Sequence, residues 1–374
     1  MSPKTLLRWT RFASDPHGTG PEKRSAQIRS LCREAGFDLH DMQPPTHVSR
    51  WHSWRKGLGA RLRHGNHASL DHAGIGLLGY RTQFYQESLS AHRGTRVLLW
   101  ETTYDTLLPT LAKEAGYKII ALPHNLEALV SEQVFANPAY DPFSDLADEV
   151  NRLALADAIF TISKEERWLL ESRGLAPHYL PFYPTAALAE ECARIRNKRS
   201  ASTRAGPRIG GPLLLLGAAL NPATARGMRV QLDWLAELGE AAPRVVVAGP
   251  ETDTRFAAHR SPRVELLGRV PRPQLVTLLE SCAALLIHTT GGAGAVTRIP
   301  EALFAGVPVI ANANAARDQY NTPGVHVYDS PAEFRALALA PPALPPVPLP
   351  PGAACARFVE EISRLTALAS SQHA

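Results

Sequence analysis

The chain has 374 residues, 45% of them apolar, with a formal net charge of +5. That apolar share excludes wholesale disorder, and 26 Gly and 31 Pro exclude a long coiled coil. At roughly 150 residues per domain, the length suits two domains with ordinary cores that need no disulfide or metal staple.

Cys32, Cys192, Cys282 and Cys355 form no CxxC pair, which argues against a zinc or redox motif and fits separate thiols in a reducing compartment. The opening residues lack the apolar core of a signal peptide, and no run approaches roughly 18 apolar residues. The expectation is a soluble, cytoplasmic protein.

In chain order, residues 5–9 read as a strand, 14–20 as a glycine loop and 21–35 as a helix. Pro21 and Glu22 suit the first turn of that helix, and Ile28, Leu31 and Cys32 share a face. Strands at 97–100, 118–122 and 158–162 alternate with helices near 107–115 and 146–155. Short, wholly apolar runs alternating with helices predict a parallel sheet covered on both faces.

From 191 to 211 the chain turns polar and basic and loses its periodicity, which reads as an interdomain linker. Strands at 213–216, 245–248, 264–267, 284–287 and 309–311 then alternate with helices at 225–238, 273–281 and 299–304. A proline-rich run at 341–351 predicts an extended strap, and 354–369 an amphipathic helix. The expected domains are a first α/β unit at 1–190, the linker 191–211, a second α/β unit at 212–340, and the strap with its helix at 341–374.

The strongest local signal runs from His288 to Ile310. A strand ends at Ile287, glycines turn the chain, and a helix starts near Val296 with Arg298 in its first turn. Backbone N–H groups and a full positive charge make such a helix start an anion site. Glu301, one turn on, offers a carboxylate suited to a ribose diol. The alternative is a glycine turn serving only strand–helix packing, with Glu301 solvated.

This block reads Gly292, Ala293, Gly294, then Arg298, Glu301-Ala302, Gly306, Pro308 and Val309, preceded by Gly268-Arg269-Val270. It resembles the donor-binding half of family 4 retaining glycosyltransferases, in the variant patterned GAGxRxKxxEAxxxGxPV, with Arg298 where Lys is usual. The likeness is clearest over 213–330. It is looser over 96–181, where Leu122-Pro123-His124-Asn125-Leu126-Glu127 and Ala156 to Glu166 match the family's phrases.

The resemblance implies an α/β GT-B fold: two facing Rossmann-like domains with a C-terminal helix returning to the first. It assigns Glu301 to the donor ribose. Arg298, Arg226 and the backbone of Gly294, Val296 and Thr297 go to the diphosphate, and Val270 to the base. Two cations can carry a departing nucleoside diphosphate with no metal ion. The commoner family pattern has a second glutamate where Ala293 stands, which bears on how the donor sugar is gripped.

In the first domain, Gly18-Thr19-Gly20 matches the family's loop that approaches the diphosphate, and glycines let backbone amides come close to phosphate. The alternative is an ordinary turn. His124 follows a buried strand and so reaches the carboxyl edge of the sheet, where it could bond the donor sugar or polarise an acceptor hydroxyl. In the family the matching histidine lies near the reacting sugar. The other reading makes it a helix-start residue, as Asn125 and Glu127 are read to be.

From Met42 to Leu70 there are five Lys or Arg and no acid, interleaved with Trp51, Trp54, Leu58 and Leu62. Residues 50–64 suit an interfacial helix at an anionic cytoplasmic membrane surface or a site for an acceptor carrying phosphate; the alternative is a solvated loop or helix face with its tryptophans packed inward. No nucleic-acid-binding signature accompanies the charge.

The implied function is transfer of a hexose from a nucleoside-diphosphate sugar, used as substrate and with no cofactor, to a glycan, lipid-linked or polysaccharide acceptor with retention of configuration. A protein that kept the fold as a glycan-binding scaffold is the alternative, and Ala293 is its support. A dehydrogenase is disfavoured, because the first loop lacks the third glycine of GxGxxG.

Overall fold

The computed structural model describes residues 4–44, 49–65, 73–130, 142–204 and 211–371. The chain divides into two compact units, residues 1–182 with 351–374, and residues 183–350.

In the first unit, β1 (Lys4–Trp9), β2 (Phe37–Asp41), β3 (Thr95–Trp100), β4 (Lys118–Ala121), β5 (Ala158–Thr161) and β6 (His178–Tyr179) form one parallel sheet ordered β2-β1-β3-β4-β5-β6. Side chains alternate between its faces. Leu7, Leu98, Trp100, Ile119 and Ile159 enter one core, while Leu6, Val97, Leu99, Ile120 and Phe160 enter the other. Burial on both faces is why these strands read as unbroken apolar runs.

In the second unit, β7 (Leu213–Leu216), β8 (Val245–Ala248), β9 (Val264–Gly268), β10 (Ala284–Ile287), β11 (Val309–Asn312) and β12 (Val325–Tyr328) are again all parallel, ordered β12-β11-β10-β7-β8-β9. This is the doubly wound order of a dinucleotide fold, with its switch point between β7 and β10. In the first unit the order reverses between β1 and β3.

Helices α1 (Gly20–Glu34), α2 (Arg50–His64), α3 (Ile75–Ala91) and α4 (Leu107–Glu114) belong to the first unit. The helix Gly352–Ser371 belongs there too. It buries Phe358, Ile362 and Leu365 in the same core as Leu6 and Val97, and Phe358 meets Phe160 edge-on. The C-terminal helix thus returns to the first unit.

α2 and α3 pack through small residues. Ser53, Gly57 and Ala60 are the buried positions of α2, and a Cβ placed on Gly57 would lie 1.8 Å from the Ile75 carbonyl oxygen. On the other helix, a Cβ on Gly79 would lie 1.6 Å from the Ser53 carbonyl. Gly57 therefore costs helix propensity and gains backbone contact. This packing turns Trp51 (67% exposed), Trp54 (52%) and Leu62 (80%) outward, so the inward-tryptophan reading fails.

The segment read as a linker is a correction. Residues 191–204 continue a helix, Ala186–Arg204, whose Leu188, Cys192 and Ile195 join the core of the second unit. Residues 205–210 of the expected linker, Arg208 among them, lie outside the described residues. The chain passes from the first unit to the second at Phe182–Tyr183, earlier than the expected 190.

The arginines explain the misreading. Arg199 is buried and donates to the carbonyls of Gly306 at 2.7 Å, Leu279 at 2.7 Å and Cys282 at 2.8 Å. Arg196 donates to Phe304 at 2.9 Å and to Pro345, in the proline-rich run, at 2.7 Å. Leu279, Cys282, Phe304 and Gly306 lie at the carboxyl ends of the helices Arg272–Ser281 and Arg298–Phe304. Such ends leave carbonyls without partners inside the helix and favour a cation.

Replacing Arg199 with Met strips two buried carbonyls and a partly buried one of their donor. It is expected to cost about 2–4 kcal/mol of stability. Chemical unfolding checks this, and a loss under about 0.5 kcal/mol, the level of an ordinary surface substitution, would contradict the clamp.

Candidate functional site

The expected site residues fall into two groups. Arg226, Val270, Gly294, Val296, Thr297, Arg298 and Glu301 belong to the second unit, and Gly18, Thr19, Gly20 and His124 to the first.

In the second unit the site is built at the carboxyl ends of β7 and β10, the switch point of the sheet. Arg298 donates to the carbonyl of Leu216, the last residue of β7, and a Cβ on Gly217 would lie 2.4 Å from Arg298 Nη1. Gly217 thus leaves the space that the guanidinium fills. Glu301 lies close enough to support the charge on Arg298, while burial pulls the arginine's pKa down.

Arg226, exposed near the start of the helix Pro222–Ala236, donates from Nε to the Thr290 hydroxyl at 3.2 Å. Its neighbour Gly227 lets that helix touch the loop after β10, since a Cβ there would sit 1.8 Å from the His288 carbonyl. The helix expected near Val296 spans Arg298–Phe304, so Val296 and Thr297 precede it. Val296 and Val270 are half-buried and pack against the same core cluster.

The loop 288–294 is clamped by residues that carry no motif. Asn312 Oδ1 accepts the Thr289 N–H at 3.0 Å, while its Nδ2 donates to the Thr289 carbonyl at 2.9 Å. Asn314 donates to that carbonyl at 3.2 Å, and Arg317 donates to the Gly292 carbonyl. Gly292 and Gly294 take φ of 101° and 74°, conformations that exclude most side chains. The tyrosine hydroxyl of Tyr328 meets His288 Nδ1 at 2.8 Å. The only sequence signal for this clamp is the Asn312–Arg317 run just past a buried strand.

In the first unit, the Thr19 N–H and hydroxyl both donate to Glu22 Oε2, at 2.6 and 2.7 Å. A Cβ on Gly18 would lie 2.5 Å from that oxygen. The amino end of α1 therefore already holds a carboxylate, supplied by its own first turn.

His124 is buried just past β4. Its Nε2 lies 3.2 Å from Glu101 Oε2, and its ring stacks on Phe12 with centroids 5.1 Å apart. Glu101 is the first residue after β3, and it also faces Arg8 at 3.2 Å and Ser25. Burial works against a charge on Glu101. The His124 hydrogen bond, the Arg8 guanidinium and the Ser25 hydroxyl outweigh it and hold the carboxyl at about 2. Sequence reasoning missed Glu101 and Arg8, although an arginine inside an apolar strand and an acid at the end of one were both visible.

Asn125 and Glu127 lie in the turn that follows. Glu149 accepts the N–H groups of Glu127 and Ala128, both at 3.0 Å, and Glu166 accepts that of Leu126 at 2.7 Å. Glu127 opens the short helical turn Glu127–Leu129. A cavity of about 660 Å³ opens beside the carboxyl ends of β1 and β2, lined by Trp9, Tyr80, Arg81, Phe84 and Tyr85 among others. Among the described residues, no group of three His, Cys, Asp or Glu could hold a metal ion, and no helix is long and apolar enough to cross a membrane.

No family model and no curated protein matches the chain. Solved structures do. HepE of Anabaena, in complex with UDP-glucose, is 14% identical with a TM-score of 0.57, over 98% of this chain and 93% of that one. Sucrose-phosphate synthase of Thermosynechococcus elongatus is 13% identical with a TM-score of 0.56, over 99% and 98%. The α,α-trehalose 6-phosphate synthase of Burkholderia multivorans is 12% identical with a TM-score of 0.56, over 97% and 95%. The chain has the GT-B fold.

Within that fold, the turn after β4 carries a pH dependence. Burial, then the Glu166 carboxylate, pushes the Glu127 carboxyl up from 4.5 to about 8, against a hydrogen bond from Asn125. The folded state thus holds a proton that the unfolded chain releases near 4.5. The stability that this carboxyl contributes is full below that pH, falls as pH rises toward about 8, and falls no further above it. Glu127→Gln keeps the neutral form. It is expected to match the parent at and below about pH 4.5 and to exceed it by several kcal/mol, up to about 5, above pH 8. Thermal unfolding across that range decides, and parallel curves for the two proteins would refute it.

Proposed function

We propose that this protein is a family 4-like glycosyltransferase that moves a hexose from a nucleoside-diphosphate sugar to a glycan, lipid-linked or polysaccharide acceptor, with retention of configuration and without a metal ion. The observation that carries this reading is the meeting of Arg298, Glu301, Arg226 and the clamped glycine loop at the β7–β10 switch point, where doubly wound sheets bind nucleotides. HepE is in complex with UDP-glucose, so UDP sugars are the first to test.

In the proposed complex, Glu301 accepts the ribose hydroxyls and Val270 lies against the base. Arg226, Arg298 and the backbone at Gly294, Val296 and Thr297 take up the diphosphate. The two guanidinium groups stabilise the charge that grows on the leaving diphosphate. The loop Gly18, Thr19 and Gly20 offers its amides once Glu22 releases Thr19. His124 meets the reacting sugar, and the aromatic cavity beside β1 and β2 takes the acceptor. The reading favours front-face substitution, with the acceptor proton passing to the departing diphosphate.

UDP is expected to raise the melting temperature of the parent protein, and Glu301→Ala to weaken UDP binding tenfold or more, about 1.4 kcal/mol. Calorimetry measures this. No nucleoside diphosphate binding at all, or unchanged binding in the variant, would sink the proposal. Binding without turnover on any donor and acceptor would favour the scaffold reading instead.

We also propose that α2 rests on an anionic membrane surface, placing the protein at the cytoplasmic face. Its outward Trp51, Trp54, Leu58 and Leu62 lie among Arg50, Arg55 and Arg63, and Arg55 lies over the Trp51 ring at 5.7 Å. Indole rings with basic neighbours suit the headgroup layer. Sedimentation with vesicles containing phosphatidylserine is expected to capture the protein, and the Trp51→Ser, Trp54→Ser double variant is expected to lose that capture. Equal recovery with neutral and anionic vesicles would refute it.

A further inference from the structure

Glu101 belongs to no motif used above, yet the structure surrounds it with donors. Its backbone N–H bonds the Trp9 carbonyl at 2.9 Å, extending the pairing of β3 with β1 by one residue, so its position is rigid. Its side chain is fully buried. Oε1 accepts from Arg8 Nη1 at 3.2 Å, and Oε2 accepts from the Ser25 hydroxyl and faces His124 Nε2 at 3.2 Å. Arg8 in turn grips Asp41 with two hydrogen bonds, of 2.6 and 2.9 Å. The support for the imidazole thus runs through three adjacent strands, β2, β1 and β3, with Phe12 stacked on the ring face.

An ionised carboxylate only accepts hydrogen bonds, so the ring nitrogen facing it must carry the hydrogen. In the neutral ring the lone pair then lies on Nδ1. A carboxylate behind a histidine has this effect in catalytic triads and at metal sites: it fixes the tautomer, orients the ring and raises its basicity.

We propose that Glu101 is a positioning residue that holds His124 as the Nε2–H tautomer and fixes the orientation of its ring. The proposal rests on the reading of His124 as the side chain nearest the reacting sugar. Glu101 touches no substrate itself. The pair also departs from the simple helix-start role, which would need no buried acid behind the ring.

The test separates the two readings, because its first part uses neither donor nor acceptor. Long-range proton–nitrogen NMR spectra of ring-labelled protein, with His124 assigned by its loss in His124→Gln, report the tautomer directly. The parent is expected to show a protonated Nε2 and an unprotonated Nδ1 in the neutral ring. In Glu101→Gln, Arg8 keeps the amide oxygen and the amide NH₂ turns to the ring, so the proton is expected on Nδ1. A parent ring protonated on Nδ1, or a folded Glu101→Gln with an unchanged tautomer, overturns the proposal. If Glu101→Gln does not fold, the parent spectrum decides alone.

The second part measures sugar transfer. Glu101→Gln is expected to lower kcat on the order of 10–100-fold while the donor KM stays within about threefold. Glu101→Asp, which keeps the charge, is expected to recover part of that loss. An unchanged kcat overturns the positioning role. The expected tautomer in a parent protein with no transfer activity would overturn the functional reading and uphold the assignment of the pair.

Discussion

A strand buried on both faces has no room for an unpaired polar side chain along its length, because desolvating a charge or an amide without a partner costs several kcal/mol. Both sheets of this protein obey that constraint, and it sorts their residues. Apolar side chains fill most of the strands, Arg8 in β1 is paired, and other polar side chains collect where strands end. In the second unit, Gly217, Gly268 and His288 mark the ends of β7, β9 and β10, with Arg298 drawn in against the first of them. In the first, Glu101 follows β3 and His124 follows β4.

The same constraint accounts for the arginines away from the site. A helix that stops beside a sheet leaves carbonyls facing the interior, and something must donate to them. Arg196 and Arg199 do so for two helices at once, from a third helix that the sequence presents as basic and featureless. One guanidinium offers five N–H groups in a fixed plane and never loses its charge, so it can serve several carbonyls where a lysine could not. Part of the positive charge of the chain is therefore internal structure rather than a surface for an acidic partner. Helix α2 is the opposite case: its glycine and serine face goes inward, and its tryptophans and arginines go outward.

Legibility in the sequence follows how local each cause is. Strands β3, β4, β5, β7, β8 and β10 stand out because burial on both faces writes an apolar run. β2, at the sheet edge, has the mixed sequence FDLHD and a half-exposed pattern, and it leaves no such mark. α3 buries Arg81 and Thr82 beside Phe84 and Tyr85, which blurs its helical period. The arginine clamps were unreadable because their acceptors lie 83 and 107 residues away along the chain. At the site, the glycines, Arg298 and Glu301 follow one another along a single loop and helix, so their spacing carries the pattern. Glu101 and its partners Arg8, Ser25 and His124 come from four separate segments, and only folding brings them together.

That gathering has a cost, and the cost bears on what the cluster does. Burying Arg8 and Glu101 together removes two charges from water, and an apolar pair of similar volume would be as stable or more so. Asp41 and Arg29 extend the network toward the surface and spread the charge, which lowers the penalty without removing it. If stability alone were served, a leucine at position 8 would continue the apolar run of β1. The arrangement makes better sense as fixed electrostatics. A carboxylate held in its ionised form, braced from one side by a guanidinium and from another by a hydroxyl, keeps one orientation against one histidine nitrogen. A polar environment set in place before a substrate arrives costs no reorganisation when charge develops nearby. By that argument, the buried pair gives up fold stability in exchange for a histidine with a single orientation.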